Sequence, residues 1–207
     1  MFGFGAKPRL ILHTKRLYLR APRMEDHVAW ASLRRDGAAF LDPWEPKRAR
    51  DHLSVSAFRT RVRHAAHVTK LDRALPLFLF EKRSDTLLGA ITLDNVQRGP
   101  ARYASVGYWI GEPFAQHGYM SEALVATVQH AHHEMGLGRV QAGCLPENVA
   151  SQKLLVKCGF TFEGYAQSYL QIAGQWRTHC IYANLDTERR AADMLPGQPI
   201  PPHELLG

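Results

Sequence analysis

Apolar residues along this chain fall into two periods. Across 119–135, Met120, Leu124, Val128, Ala131 and Met135 recur at three- and four-residue steps, which makes one apolar stripe of a helix, and Gly136 and Gly138 end it. Residues 24–36 place Val28, Trp30 and Leu33 at near-helical spacing before Gly37. A more basic helical stretch runs over 48–67 with His52, Arg59, Arg61, Arg63, His64 and His67 along it, and 148–160 is a short helix closed by Gly159. The remaining apolar runs are short and bounded by turn residues. They are 16–22, alternating apolar and basic residues up to Pro22; 75–82 and 86–96, joined through Ser84 and Asp85; 101–111; 139–145; and 161–170 with 175–184, hinged at Ala173-Gly174. The stretch FLDPWEP reads as a proline-punctuated turn carrying an exposed aromatic. The order predicts a mixed α+β chain: two helices, then a mainly antiparallel sheet of about seven strands interrupted by two further helices, about four in all.

Length changes this picture little, since 207 residues with 45% apolar and 22% charged content suit one domain with short tails. Residues 1–9 and the proline-rich 187–207 are expected to be loose. Charge adds more. With 26 Lys and Arg against 19 Asp and Glu, the net +7 favours an anionic partner such as a nucleotide-like cofactor, RNA or the ribosome. No apolar run approaches the roughly 18 residues of a membrane span, and the first residues lack the order of a signal peptide, so a cytoplasmic protein with no membrane partner is expected. Cys144, Cys158 and Cys180 are odd in number and widely spaced, which suits small buried side chains rather than disulfides or a zinc site. His130, His132 and His133 share a helix but have no evident carboxylate or cysteine partner, so no metal is expected. The basic residues accompany no nucleic-acid recognition motif.

The segment WIGEPFAQHGYMSEALVATV carries the most chemistry. A helix start leaves about four amides without intrahelical partners and bears partial positive charge, so it favours anions. Gly118 sits at that start. Without a Cβ it lets a diphosphate approach the amides of Gln116, His117, Gly118, Tyr119 and Met120, although a glycine there also relieves strain at a helix N-terminus. There is no GxxxxGK[ST] loop, and Gly136-Leu137-Gly138 precedes a strand, so Walker and Rossmann readings are unsupported.

The order strand, AQHGYMSEA, apolar helix, strand, PENVASQKLLVKCGF and closing hairpin resembles the GCN5-related N-acetyltransferase superfamily. FLDPWEP, NVQRG, GYWIG, KCGFTFEGYA and GQWRTH, in that order over about residues 10–185, are similar to the RimJ-type ribosomal-protein-alanine N-acetyltransferases. The chain departs from the family's Q/R-x-x-G-x-G/A loop at two places, with Ala115 at the Gln/Arg position and Met120 at the last. The resemblance implies one N-acetyltransferase domain over 10–186, a sheet splayed in its middle, and acetyl-CoA as co-substrate with no metal. It further implies that the pantetheine arm pairs with the backbone of Tyr108, Trp109 and Ile110, that the diphosphate lies on the loop through Ser121, and that Asn148 holds the arm.

The chemistry so implied is direct attack of an amine on the thioester. The Ile110 amide is the implied oxyanion donor. Ser151 is the implied proton donor to the thiolate, although Asn148 is also an N-cap that would simply place Ser151 in the first helical turn. An α-amine, with pKa about 8, needs weaker base assistance than a lysine at about 10.4. Glu112, Glu163, Asp94 or a water are the base candidates, and position alone does not choose among them. Tyr165, Tyr169 and Trp176 are candidate walls of the acceptor channel. The implied acceptor is a protein N-terminus, that of an alanine-starting ribosomal protein, on or off the ribosome. The alternatives are a small-molecule amine acetyltransferase, or a ribosome- or RNA-binding protein with a vestigial CoA pocket.

Overall fold

The computed structural model describes residues 10–186, so the two segments expected to be loose lie outside the described residues. Eight strands form one sheet: β1 (Ile11–His13), β2 (Leu17–Arg20), β3 (Leu75–Glu81), β4 (Leu87–Gln97), β5 (Tyr103–Ile110), β6 (Arg139–Cys144), β7 (Thr161–Ile172) and β8 (Gln175–Leu185). Their order is β1-β2-β3-β4-β5-β6-β8-β7, antiparallel throughout except where β5 meets β6. Five α-helices accompany it: α1 (His27–Asp36), α2 (Ala38–Leu41), α3 (Val55–Lys70), α4 (Tyr119–His133) and α5 (Val149–Lys157).

The mixed, mainly antiparallel class is as the residue pattern predicts, with two elements added. Strand β1 has only three residues, too few for alternation to be visible, and it exists because it pairs with β2. FLDPWEP is not a plain turn: its first residues end the short helix α2 and a 3-10 turn, Asp42–Trp44, follows. The basic helix starts at Val55 rather than 48, because Ser54 caps it by accepting a hydrogen bond from the Ala57 amide at 3.1 Å. In α1, Val28 does not face the core as its spacing suggests but is 75% exposed, while Trp30 and Ala31 are buried.

The sheet is covered on both faces, which is why β3 reads as an unbroken apolar run. Leu75, Leu77 and Leu79 face one core together with Met120, Leu124, Val128 and Ala131 of α4 and Leu155 of α5. Phe78 and Phe80 face the other, with Trp30 of α1 and Phe58 of α3. Strand β5 obeys the same period of two: Tyr108 and Ile110 pack on the α4/α5 side and Trp109 on the α1/α3 side.

Strands β5 and β6 pair only at Tyr103–Arg139, Ala104–Val140 and Ser105–Gln141, then diverge. Each keeps its outer neighbour to the end: β4 holds β5 as far as Gly89 opposite Ile110, and β8 holds β6 as far as Cys180 opposite Cys144. The Gly111 amide donates to Leu88 O of β4 at 2.8 Å. Alternation along the strand therefore turns the amides of Tyr108 and Ile110 the other way, into the gap.

Gly107 within β5 and Gly111 just after it behave differently. A Cβ on Gly107 would meet nothing within 4 Å, and the register runs evenly through it, whereas one on Gly111 would strike the Leu33 side chain. The glycine that shapes the fork is Gly89, where a Cβ would fall 2.3 Å from Trp109 O and 2.9 Å from Ile110 Cα. Gly89→Ala is expected to cost about 1–3 kcal/mol of stability through forced backbone displacement, against about 0.5 kcal/mol or less for Gly107→Ala in open space. Denaturant melts of the two variants beside the parent check this, and equal losses would refute the steric account.

Candidate active site

A cavity of about 510 Å³ occupies the gap between β5 and β6 and passes from one face of the sheet to the other. At one end it is lined by Met120 and Ser121 of α4 and Asn148 and Ser151 at the start of α5. At the other end stand Phe40, Leu41 and Trp44. Leu170, Ile172 and His179 of the β7–β8 hairpin close its side, and the hairpin is tied down where the Ala173 amide donates to Glu45 O at 3.0 Å.

At the first end, the chain leaves β5 through a 3-10 turn, Glu112–Phe114, and enters α4 at Gly118. Gly118 has φ +78° and ψ 4°, in the left-handed region that penalises a side chain. A Cβ there would meet only an Arg16 Nη, at 3.4 Å. Backbone conformation, more than crowding within the chain, therefore requires glycine. The first helical bond runs from the Glu122 amide to Gly118 O, at 3.2 Å, so the amides of Tyr119, Met120 and Ser121 precede the ladder. Those of Gln116, His117 and Gly118 have no hydrogen-bond partner among the described residues.

Arg16, beside the start of β2, braces this loop. Its Nη1 donates to His117 O at 3.0 Å, its Nε to Glu122 Oε2 at 2.7 Å, and its guanidinium lies 4.4 Å from the centre of the Tyr119 ring. The Glu122 carboxylate also accepts from the Arg16 amide and the Thr14 hydroxyl. Burial alone would raise the Glu122 carboxyl, but these donors hold it below its ordinary value, so the brace stays charged. A cation thus stands next to the loop although Ala115 supplies none.

The Ser151 hydroxyl lies 2.8 Å from the Tyr108 hydroxyl. Burial pushes the Tyr108 phenol well above its ordinary value and the Cys144 thiol up to about 12, so both hold their protons at neutral pH. Asn148 is indeed an N-cap, its Oδ1 accepting from the Ser151 amide at 3.0 Å. Its Nδ2 has no hydrogen-bond partner among the described residues, and the side chain borders the cavity, so capping leaves a donor to spare.

The carboxylates singled out from sequence stay outside the lining of the cavity. Glu163 is ion-paired to Arg139, Asp94 lies on the exposed end of β4, and Glu112 is exposed in its turn. Tyr165, Tyr169 and Trp176 do not line it either; Tyr165 packs on Phe162, Tyr169 on His179, and Trp176 is turned outward because it alternates with the hairpin's inward positions. What lines the α2 side instead is His179, 2% exposed, whose Nδ1 lies 2.9 Å from Arg177 O. A carbonyl only accepts, so Nδ1 carries the proton in the neutral ring and Nε2 keeps its lone pair. Glu45 also borders the cavity but is tied to Arg34 and Arg48.

Arg16, Gly89 and His179 had no local signal in the sequence, because each acts through a partner 60 or more residues away or through strand register. Among the described residues, no group of three or more His, Cys, Asp or Glu is placed to hold a metal ion, and His132 bonds to Leu137 O and Asn184. No helix of the described residues is long and apolar enough to cross a membrane.

Known proteins share this arrangement. Residues 16–161 match the Acetyltransferase (GNAT) domain family. The [ribosomal protein uS5]-alanine N-acetyltransferase of Escherichia coli (strain K12) is 34% identical over 186 residues, 88% of this chain and 95% of that protein. A probable N-acetyltransferase, YjcK, of Bacillus subtilis (strain 168) is 29% identical over 178 residues, 86% of this chain and 98% of its own length. Among solved structures, the ribosomal-protein-S5-alanine acetyltransferase of Vibrio fischeri superposes with a TM-score of 0.80 at 25% identity, covering 86% of this chain and 98% of that one. RimJ of Mycobacterium smegmatis, in complex with CoA-disulfide, gives 0.79 at 29% identity over 92% and 88%. Kinship across most of the chain, together with the same fold, shows that this protein is an acyltransferase belonging to the GNAT acetyltransferase family.

Proposed function

We propose that this enzyme transfers the acetyl group of acetyl-CoA to the N-terminal α-amine of a protein, a ribosomal protein beginning with alanine being the preferred acceptor. The observation that carries the reading is the cavity through the fork, which joins an anion-ready helix start on one face to a histidine-bearing pocket on the other, with the Ile110 amide turned into the gap between them. The names of the relatives from Escherichia coli and Vibrio fischeri support the ribosomal acceptor, and such an acceptor implies work in the cytoplasm.

The residues present fit acetyl-CoA. The amides of Gln116, His117, Gly118, Tyr119, Met120 and Ser121 receive the diphosphate, with the Arg16 guanidinium adding charge beside them. The free edge of β5, through the backbone of Tyr108 and Ile110 on either side of Trp109, whose own backbone faces β4, pairs with the amide-bearing arm as a strand would, and Asn148 Nδ2 donates to it. His179 Nε2 takes a proton from the incoming amine at the α2 end, and the Ile110 amide stabilises the charge that gathers on the carbonyl oxygen. On the opposite face Ser151 gives its proton to the departing sulfur and takes one back through the Tyr108 hydroxyl, which recovers its own from solvent as CoA leaves and which burial holds protonated at rest. Base and acid thus stand on opposite sides of the sheet, and neither proton has to cross the reacting centre.

Gly118→Val is expected to weaken binding of acetyl-CoA at least about tenfold in calorimetry, since a β-branched residue is strained at positive φ. Unchanged affinity in a folded variant would remove the loop from the site. Ser151→Ala should lower kcat by about ten- to a hundredfold with little change in KM, and His179→Gln should lower it by about a hundredfold. The His179 loss should shrink as pH rises past about 8, where the α-amine deprotonates unaided; a loss independent of pH would reject His179 as the proton acceptor. Mass shifts of Ala-starting peptides, side-chain lysines and aminoglycosides incubated with acetyl-CoA check the acceptor class, and acetylation of the small amines alone would overturn it.

A further inference from the structure

On the α1/α3 face a second hollow of about 390 Å³ lies beside the acceptor end of the cavity, and the two share Glu45, Pro46 and Trp109 as walls. Four cations line it: Arg34, Lys47, Arg48 and Arg61. The one carboxylate in the lining is Glu45, which accepts from Arg34 Nη1 at 2.7 Å and from Arg48 Nε at 3.0 Å. Arg48 reaches a second carboxylate, Asp42, at 3.1 Å. Glu45 and Asp42 therefore offset two of the four charges. Arg61 and Lys47 form no ion pair among the described residues. Arg61 instead lies 5.2 Å from the centre of the Trp30 ring, and Arg34 lies 4.5 Å from that of Trp109.

This charge is costly where it stands. Arg34 is 6% exposed, yet its Nε has no hydrogen-bond partner, and neither has His52 Nε2 in the same hollow. Burial, and then the nearby Arg34, push the Arg61 guanidinium below its ordinary value, as expected where like charges crowd out of water. A structural ion pair needs one cation for each carboxylate. Here donors and positive charge exceed what Glu45 and Asp42 satisfy, in a pocket walled by two indole rings.

We propose that this hollow binds an acidic side chain of the acceptor polypeptide, held by Arg61 and Lys47 between Trp30 and Trp109. Trp109 borders both cavities and precedes Ile110, so an extended chain leaving the reacting centre passes the hollow within its first few residues. The preferred acceptor then carries Asp or Glu at its second, third or fourth position, and the pocket sets specificity through charge-assisted hydrogen bonds while the chemistry proceeds at the fork. The inference rests on the protein-acceptor reading above and adds the acceptor's sequence preference to it.

The experiment uses the full chain and Ala-starting peptides with one Asp moved through those positions, each beside its Asn counterpart. Turnover with acetyl-CoA is measured in parallel with anisotropy binding of the N-acetylated, dye-labelled peptides in the presence of CoA. The best Asp peptide should bind about tenfold tighter than its Asn partner. Arg61→Gln should abolish that difference by raising KM for the Asp peptide alone, with kcat unchanged, and Arg61→Lys should retain part of it. Acid-dependent binding without transfer would uphold the hollow and defeat the proposed reaction. Transfer without any Asp preference, or an equal effect of Arg61→Gln on both peptides, would overturn the inference and leave the reaction standing. Binding of adenosine monophosphate but of no peptide would assign the hollow to a nucleotide and also overturn it.

Discussion

The structure turns on two adjacent strands that are held firmly at their outer edges and only briefly to each other. β4 and β8 pin β5 and β6 along their lengths, yet the two pair at just three positions. Backbone groups on the facing edges beyond Ser105 and Gln141 are left without a strand partner, in a protein whose sheet is otherwise covered on both faces. Such groups are costly unless something pairs with them. A substrate with amide groups of its own is a natural partner, and the same opening gives it a passage through the sheet. Gly89 makes this possible from behind, because its missing side chain lets β4 lie close under Trp109 and Ile110 where the fork is widest.

The passage divides the chemistry by face. Ser151, Tyr108 and Cys144 lie on the α4/α5 side, and burial keeps the phenol and the thiol protonated at neutral pH despite the hydrogen bond to Ser151. His179 lies at the α2 side with one ring nitrogen committed to a carbonyl and the other open. Proton donors and a proton acceptor separated by a sheet do not neutralise each other. Helix termini add direction, since α4 and α5 both begin at the cavity and present partial positive charge to it.

The net charge of +7 also resolves into places. Arg16 stands beside the α4 loop, while Arg34, Lys47, Arg48 and Arg61 gather beside the α2 end of the cavity. The two groups flank the cavity at opposite ends, so each mouth of the passage presents positive charge to an incoming anion. Glu122 and Glu45 serve as anchors in the two groups, each held in its charged form by arginine.

The sequence alone determined what depends on neighbours along the chain. The α4 stripe, the glycine before it, the hairpin turns and the Asn148 cap are set by backbone periods and dihedral preferences that act over a few residues, and they were legible, as were the loop amides at 116–121. The three-residue β1 and the start of α3 were not, because pairing with β2 and the Ser54 cap decide them. Tertiary structure alone decided the rest. Whether Glu163 or His179 borders the cavity, whether Tyr169 walls it or packs behind it, and whether Arg16 reaches a loop a hundred residues on all depend on register between distant strands, and on a sheet a shift of one residue reverses every side chain.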